Sequence, residues 1–172
     1  MGDGTALGVS LRWSFEREPL EVAGGIATAL PLLPEGPALI VSGDVFTAFD
    51  YATLLRRAEA MARIATAPRA HLVMVRNPVY HPGGDFALAE GRLVADGALR
   101  QTFASIGLYD TALFRELPRA VKLKLLPYLQ RWIAGGLVSG EQFDGPWTNV
   151  GTPEDLATLD RDLHHRASVR SA

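Results

Sequence analysis

Seven residues, Ala38-Leu39-Ile40-Val41-Ser42-Gly43-Asp44, constrain this chain more than any other stretch. Four apolar residues run into a small pair and stop at a carboxylate. A short apolar run closed by turn residues predicts a buried strand in a parallel or mixed sheet. In open α/β sheets, ligands collect just beyond the carboxyl ends of strands. Asp44 sits at that place, and Gly43 leaves room for a ligand to approach the backbone. Two roles for Asp44 follow: holding a divalent metal against a phosphate, or capping the turn into the next helix.

The remaining segments extend an α/β pattern. Val9 to Phe15 alternates apolar and polar residues and predicts a half-buried strand. Gly24-Gly25 leads into an expected short helix over 26–30. Its amides either face a base or phosphate or make a tight, closely packed turn. Asp50 is an N-cap for a helix carrying Leu54, Ala58, Met61 and Ala65 on one side and ended by Pro68. His71 to Asn77 predicts a second buried strand, which makes a βαβ unit with the first. A Pro- and Gly-rich loop, Asn77 to Asp85, precedes a hairpin around Glu90-Gly91. Thr102 to Tyr109 predicts a strand, and Asp110 or Thr111 caps a short helix to Leu117. Pro127 opens a helix closed by Gly135. Leu137–Phe143 and Trp147–Val150 predict two more strands. Thr152 and Asp155 then form a variant capping box on a last helix to about Arg166.

Composition narrows the function classes. The chain has 172 residues, 48% apolar and 21% charged, which is ordinary for one globular domain. A net charge of −2 gives no nucleic-acid footprint. With no cysteine, disulfides and thiolate metal sites are excluded. No apolar run approaches the ~18 residues of a membrane span, and the first residues lack the pattern of a secretory signal. The expectation is a cytoplasmic protein with no membrane partner. Phosphate-loop, dinucleotide and nucleophile-elbow motifs are absent. His164 and His165 are adjacent on a helix and cannot share a metal as i, i+4 ligands would. His81 either touches a ligand or is simply exposed. Lysine is confined to Lys122 and Lys124 in an arginine-rich chain. That bias by itself points to no function.

Taken in order, five segments resemble the sugar-1-phosphate nucleotidyltransferase superfamily. They are Glu18 to Ile26, Val41 to Asp44, Asn77-Pro78 with Gly84-Asp85-Phe86, Phe103 to Tyr109, and Trp147 to Pro153. Within it, the chain resembles enzymes joining UTP to N-acetylmuramate 1-phosphate in cell-wall recycling. Mannose-1-phosphate guanylyltransferases stand close by.

The resemblance implies a Rossmann-like, glycosyltransferase-A type mixed sheet with flanking helices. It implies a reaction in which a sugar 1-phosphate attacks a nucleoside triphosphate and releases pyrophosphate, assisted by Mg²⁺. Asp44 matches the family's catalytic metal aspartate. Its second metal aspartate falls on Asn149, which offers a neutral oxygen and a weaker hold. Glu21, Gly24 and Gly25 match the nucleotide-binding stretch, where Val22 replaces a usual Thr. Asn77 and Asp85 match positions near the sugar. A glycine of the family is Ser105 here. The family's first strand, Gly-rich loop and Pro-Lys-Pro have no counterpart in the chain. The expectation is an N-terminally truncated domain over 1–166 with a frayed tail over 167–172. It would lack activity alone and carry an uncovered sheet edge open to self-association. A non-catalytic sugar-phosphate-binding or regulatory module is the alternative.

Overall fold

The computed structural model describes residues 2–170. Eight strands and four helices follow one another in the order β1 (Pro37–Val41), β2 (Val45–Thr47), α2 (Ala52–Arg63), β3 (Ala70–Val75), β4 (Phe86–Ala89), β5 (Arg92–Val94), β6 (Arg100–Asp110), α3 (Leu126–Ala134), β7 (Val138–Gln142), β8 (Trp147–Asn149) and α4 (Pro153–Arg170). The helix α1 (Glu21–Ala29) precedes them all. Six strands form a mixed sheet in the order β1-β6-β3-β7-β5-β4, with β4 also reaching β6, and β2 pairs with β8 in a separate ribbon. The mixed α/β architecture is the one expected.

β3 lies at the centre of the sheet. Every one of its residues is buried, as expected for a strand covered on both faces. Leu72 and Met74 join Ile26, Tyr109, Phe114, Leu129 and Trp132 on the face covered by α1 and α3. Val73 and Val75 join Leu54, Ala104 and Ile106 on the face covered by α2. The result is a sheet sandwiched between helices.

Three expectations need correction. Val9 to Phe15 forms no strand, because it has no neighbour to pair with. Val9, Trp13 and Phe15 are exposed. β1 is not an interior strand: it pairs only with β6, antiparallel, and stands at the sheet edge with Leu39 and Val41 exposed. β1 and β3 do run in the same direction, but β6 lies between them. The first helix starts at Glu21, so Gly24 and Gly25 lie inside it rather than before it.

Two helices stop earlier than expected, α2 at Arg63 rather than at Pro68 and the turn after Asp110 at Phe114 rather than Leu117. The Glu90-Gly91 hairpin joins β4 to β5, and Asp110 caps a 3₁₀ turn over Thr111–Phe114 by accepting the Ala112 amide at 2.8 Å. The Thr152–Asp155 capping box is complete. Thr152 N–H and Oγ1–H donate to Asp155 Oδ2 at 3.0 and 2.8 Å, and Asp155 N–H donates to Thr152 Oγ1 at 3.1 Å. The helix it opens continues to Arg170, past the expected end at Arg166. Residues 171–172 lie outside the described residues.

Candidate functional site

An open cleft of about 540 Å³ lies where α1, β1, β6 and the start of α3 meet. Its walls are mostly apolar, among them Ile40, Phe86, Phe103 and Leu129. Its polar residues are Glu21, Ser42, Asp85, Ser105, Tyr109 and Lys124. An apolar pocket with a few convergent polar groups is the usual form of a small-molecule site.

Two backbone strains converge there. Glu21 and Ser105 hold φ of 60° and 57°, a region that side chains rarely adopt. At Ser105 the cause is a bulge. Leu72 pairs with Gly107 but Met74 with Phe103, so two steps on β3 face four on β6. The bulged Ser105 turns its carbonyl to the Ser42 amide at 3.1 Å, which ties the end of β1 to the cleft. Glycine adopts this conformation without strain, and serine does not. Strain of this kind gathers at ligand sites.

Asp85 is held firmly. Its Oδ2 accepts the Phe103 amide at 2.8 Å, and its Oδ1 lies 3.2 Å from His81 Nε2. His81 itself does not line the cleft and, of the cleft's residues, hydrogen-bonds only Asp85. Lys124 is the one cation among the described residues that line the cleft. Lys122 stands close by, its Nζ 4.0 Å from Glu21 Oε1. Both lysines of the chain are thus at this site. The sequence signal was their isolation within three positions of a chain otherwise served by arginine.

Asp44 lies two residues past Ser42, in a turn closed by the Val45 amide and the Ser42 carbonyl at 3.4 Å. The backbone closes that turn, so the capping role falls away. Among the described residues the Asp44 carboxylate makes no hydrogen bond or ion pair, and it is exposed. Across the ribbon, Val45 pairs with Asn149, and the Val150 amide donates to the Asp44 carbonyl at 2.7 Å. Asp44 and Asn149 are therefore neighbours on adjoining strand ends. Asp155 and Asp44 also bear on Tyr80, whose phenol pKa is raised by burial first and then by these two carboxylates.

The other expected residues are placed differently. Gly24 is buried in α1, where a Cβ would stand 2.1 Å from the Val121 carbonyl. Its amide and that of Ala23 both donate to the Leu123 carbonyl, at 3.2 and 3.0 Å. Gly24 thus belongs to close packing, and its amide is already spent. Neither Gly24 nor Gly25 lines the cleft. Asn77 also lies outside the cleft lining. Its amide donates to the Pro82 and Arg100 carbonyls at 2.9 and 3.0 Å and accepts from Thr102 Oγ1 at 2.9 Å. It locks the loop that carries Asp85.

Among the described residues, no group of three or more His, Asp or Glu side chains is placed to hold a metal. One carboxylate with one amide oxygen still suits Mg²⁺, which usually keeps waters and takes its other ligands from substrate phosphates. The free Asp44 carboxylate and its neighbour Asn149 fit that donor set.

Comparison with known proteins fixes the family. No family model matches the chain. The chain is 38% identical over 156 residues to the N-acetylmuramate alpha-1-phosphate uridylyltransferase of Neisseria meningitidis serogroup B, covering 88% of this chain and 66% of that one. It belongs to the sugar-1-phosphate nucleotidyltransferase superfamily. A mannose-1-phosphate guanylyltransferase of Mycobacterium tuberculosis is 27% identical over 175 residues, covering 94% of this chain and 46% of its own. The chain thus spans about two thirds or less of the curated relatives it matches.

Solved structures agree on the fold. A Bacillus anthracis protein assigned as a glucose-1-phosphate thymidylyltransferase, in complex with sucrose, superposes with a TM-score of 0.75 at 15% identity. It covers 91% of this chain and 66% of its own. HddC from Yersinia pseudotuberculosis gives a TM-score of 0.60, also at 15% identity, over 86% and 64%. Among the described residues no helix is long and apolar enough to cross a membrane.

Proposed function

We propose that this member of the superfamily takes part in transfer of a uridylyl group from UTP to N-acetylmuramate 1-phosphate. In that reaction a phosphate oxygen of the sugar 1-phosphate bonds to the α-phosphorus of the triphosphate. The bond between the α-phosphorus and its bridging oxygen breaks, and pyrophosphate leaves. The observation that carries the reading is one cleft gathering Glu21, Ser42, Asp85 and Lys124 from separate stretches of chain, with Asp44 two residues from its edge. The identity to the uridylyltransferase of N. meningitidis supports the choice of substrates. A cytoplasmic setting and a place in cell-wall recycling are part of the same proposal.

In this reading the cleft receives the sugar 1-phosphate. Lys124 faces its phosphate, and Asp85, fixed by the Phe103 amide, orients the sugar hydroxyls. Asp44 and Asn149 would hold Mg²⁺, which neutralises phosphate charge when bound. Positioning and charge neutralisation carry most of such chemistry. The chain spans 66% of the length of the N. meningitidis uridylyltransferase, and the 172-residue chain alone is expected to turn over little or not at all. Self-association through the exposed edge of β1 belongs to the proposal too.

Pyrophosphate release with UTP, N-acetylmuramate 1-phosphate and Mg²⁺ tests the function. The expected result for the chain alone is binding of the sugar phosphate with turnover far below typical enzyme rates. In a chain as long as the N. meningitidis relative, turnover appears and Asp44→Ala removes it by a factor of 10²–10³ or more. Failure to release pyrophosphate with any sugar 1-phosphate in that longer form overturns the proposal. A second reading, a sugar-phosphate-binding module, is favoured by Asn149 alone. It predicts affinity independent of Mg²⁺ and of Asp44.

A further inference from the structure

Tyr109 is fully buried, yet its hydroxyl has no hydrogen-bond partner among the described residues. It also lines the cleft. The ring is held rigidly by edge contacts to Phe114 and Trp132, with centroids 5.6 and 6.5 Å away. It is laid along β6 over Gly107, where a Cβ would stand 2.5 Å from the ring and 2.8 Å from the hydroxyl. Glycine at 107 therefore leaves the room that the Tyr109 ring and hydroxyl occupy. Burying a hydroxyl without a partner costs about 1–3 kcal/mol, which phenylalanine at the same place would avoid. Burial also pushes the phenol pKa well up, so the group stays a protonated donor.

We infer that the Tyr109 hydroxyl donates to the carbonyl of an acylamino substituent on the sugar, and so selects acylamino sugar phosphates over plain hexose phosphates. This rests on the reading of the cleft as the sugar-1-phosphate site. The surroundings decide the ligand group. The cleft that Tyr109 lines has mostly apolar walls, with Ile40, Phe86, Leu125 and Leu129. A sugar hydroxyl placed there would keep unmet hydrogen-bonding capacity against those walls. An acetamido group has one carbonyl for the phenol and one methyl for the apolar side chains.

The test is calorimetric titration of the chain with N-acetylglucosamine 1-phosphate and with glucose 1-phosphate, which differ only in the acetamido group. The wild-type chain is expected to bind the acetamido sugar more tightly. Tyr109→Phe should weaken that binding about tenfold, the loss of one hydrogen bond. It should leave glucose 1-phosphate unchanged, and the unliganded variant should melt no lower than wild type. A clearly lower melting point shows that the hydroxyl has an internal partner, and overturns the inference. Equal weakening for both sugars, or for neither, does the same while leaving the cleft reading in place. If the wild-type chain binds neither sugar, the cleft reading and the inference fall together.

Discussion

Ser105 holds a left-handed backbone angle that glycine adopts freely and serine does not. Ser105→Gly should therefore stabilise the chain by about 1 kcal/mol, read as a higher urea midpoint. A lower midpoint would mean that the serine side chain contributes more than the strain costs. A second residue-scale prediction concerns His71, buried opposite Ser139 across β3 and β7. Glu141 can only accept, so His71 Nε2–H donates to Glu141 Oε1 at 3.1 Å, and Nδ1 accepts from Ser139 Oγ at 2.8 Å. Burial first, and then Arg57, lower its pKa to about 4 against the pull of Glu141. The folded state thus resists a proton that the unfolded chain accepts. Stability unaffected above pH 6.5 should fall as pH drops from 6.5 towards 4, by on the order of 3 kcal/mol. Melting curves across that window test it. His71→Gln should flatten the fall, and an unchanged slope would contradict the account.

At the scale of elements, α1 and the stretch before α3 form one unit. The Ala23 and Gly24 amides both end on the Leu123 carbonyl, and Thr28 Oγ1 accepts the Ala120 amide at 3.0 Å. Gly24→Ala would push a methyl into the Val121 carbonyl. A destabilisation of about 1–3 kcal/mol follows, together with weaker ligand binding as Glu21, Lys122 and Lys124 shift. Unchanged stability and affinity would contradict the packing role. This junction also shows what was legible in the sequence and what was not. Strands β3, β4, β5 and β6, the hairpin and both capping devices at Asp110 and Thr152 could be read locally, because each depends on near neighbours in the chain. Gly24's role depends on Val121, nearly a hundred residues away, and nothing local separates a packing glycine from a ligand-facing one. Asn77 was expected near the sugar from the resemblance alone, and its long-range bonds to Arg100 and Thr102, which occupy its amide, could not be read locally. Lys124 was visible as a rarity, but only the fold gave that rarity a place. The strand expected over Val9 to Phe15 failed for a related reason: alternation makes a strand only where a partner strand stands beside it.

The whole molecule exposes more surface than its mass requires. Its 11166 Å² compares with about 8,200 Å² for a compact monomer of 18.6 kDa, roughly a third more. Part of the excess lies along the β1 edge, where Leu39 and Val41 are exposed, and on Trp13 and Phe15. An apolar strand edge of this kind invites pairing. Sedimentation should show concentration-dependent association, and Leu39→Lys should shift the chain to monomer without lowering its melting point. A wild-type chain monomeric at every concentration would contradict the proposed edge pairing. The central claim, however, concerns the cleft and the ribbon beside it. A crystal of the chain soaked with N-acetylmuramate 1-phosphate and Mn²⁺ tests it most directly. The account predicts a sugar phosphate against Lys124 and Asp85, with the anomalous peak of the metal between Asp44 and Asn149; a ligand bound elsewhere, or a metal far from Asp44, would contradict it.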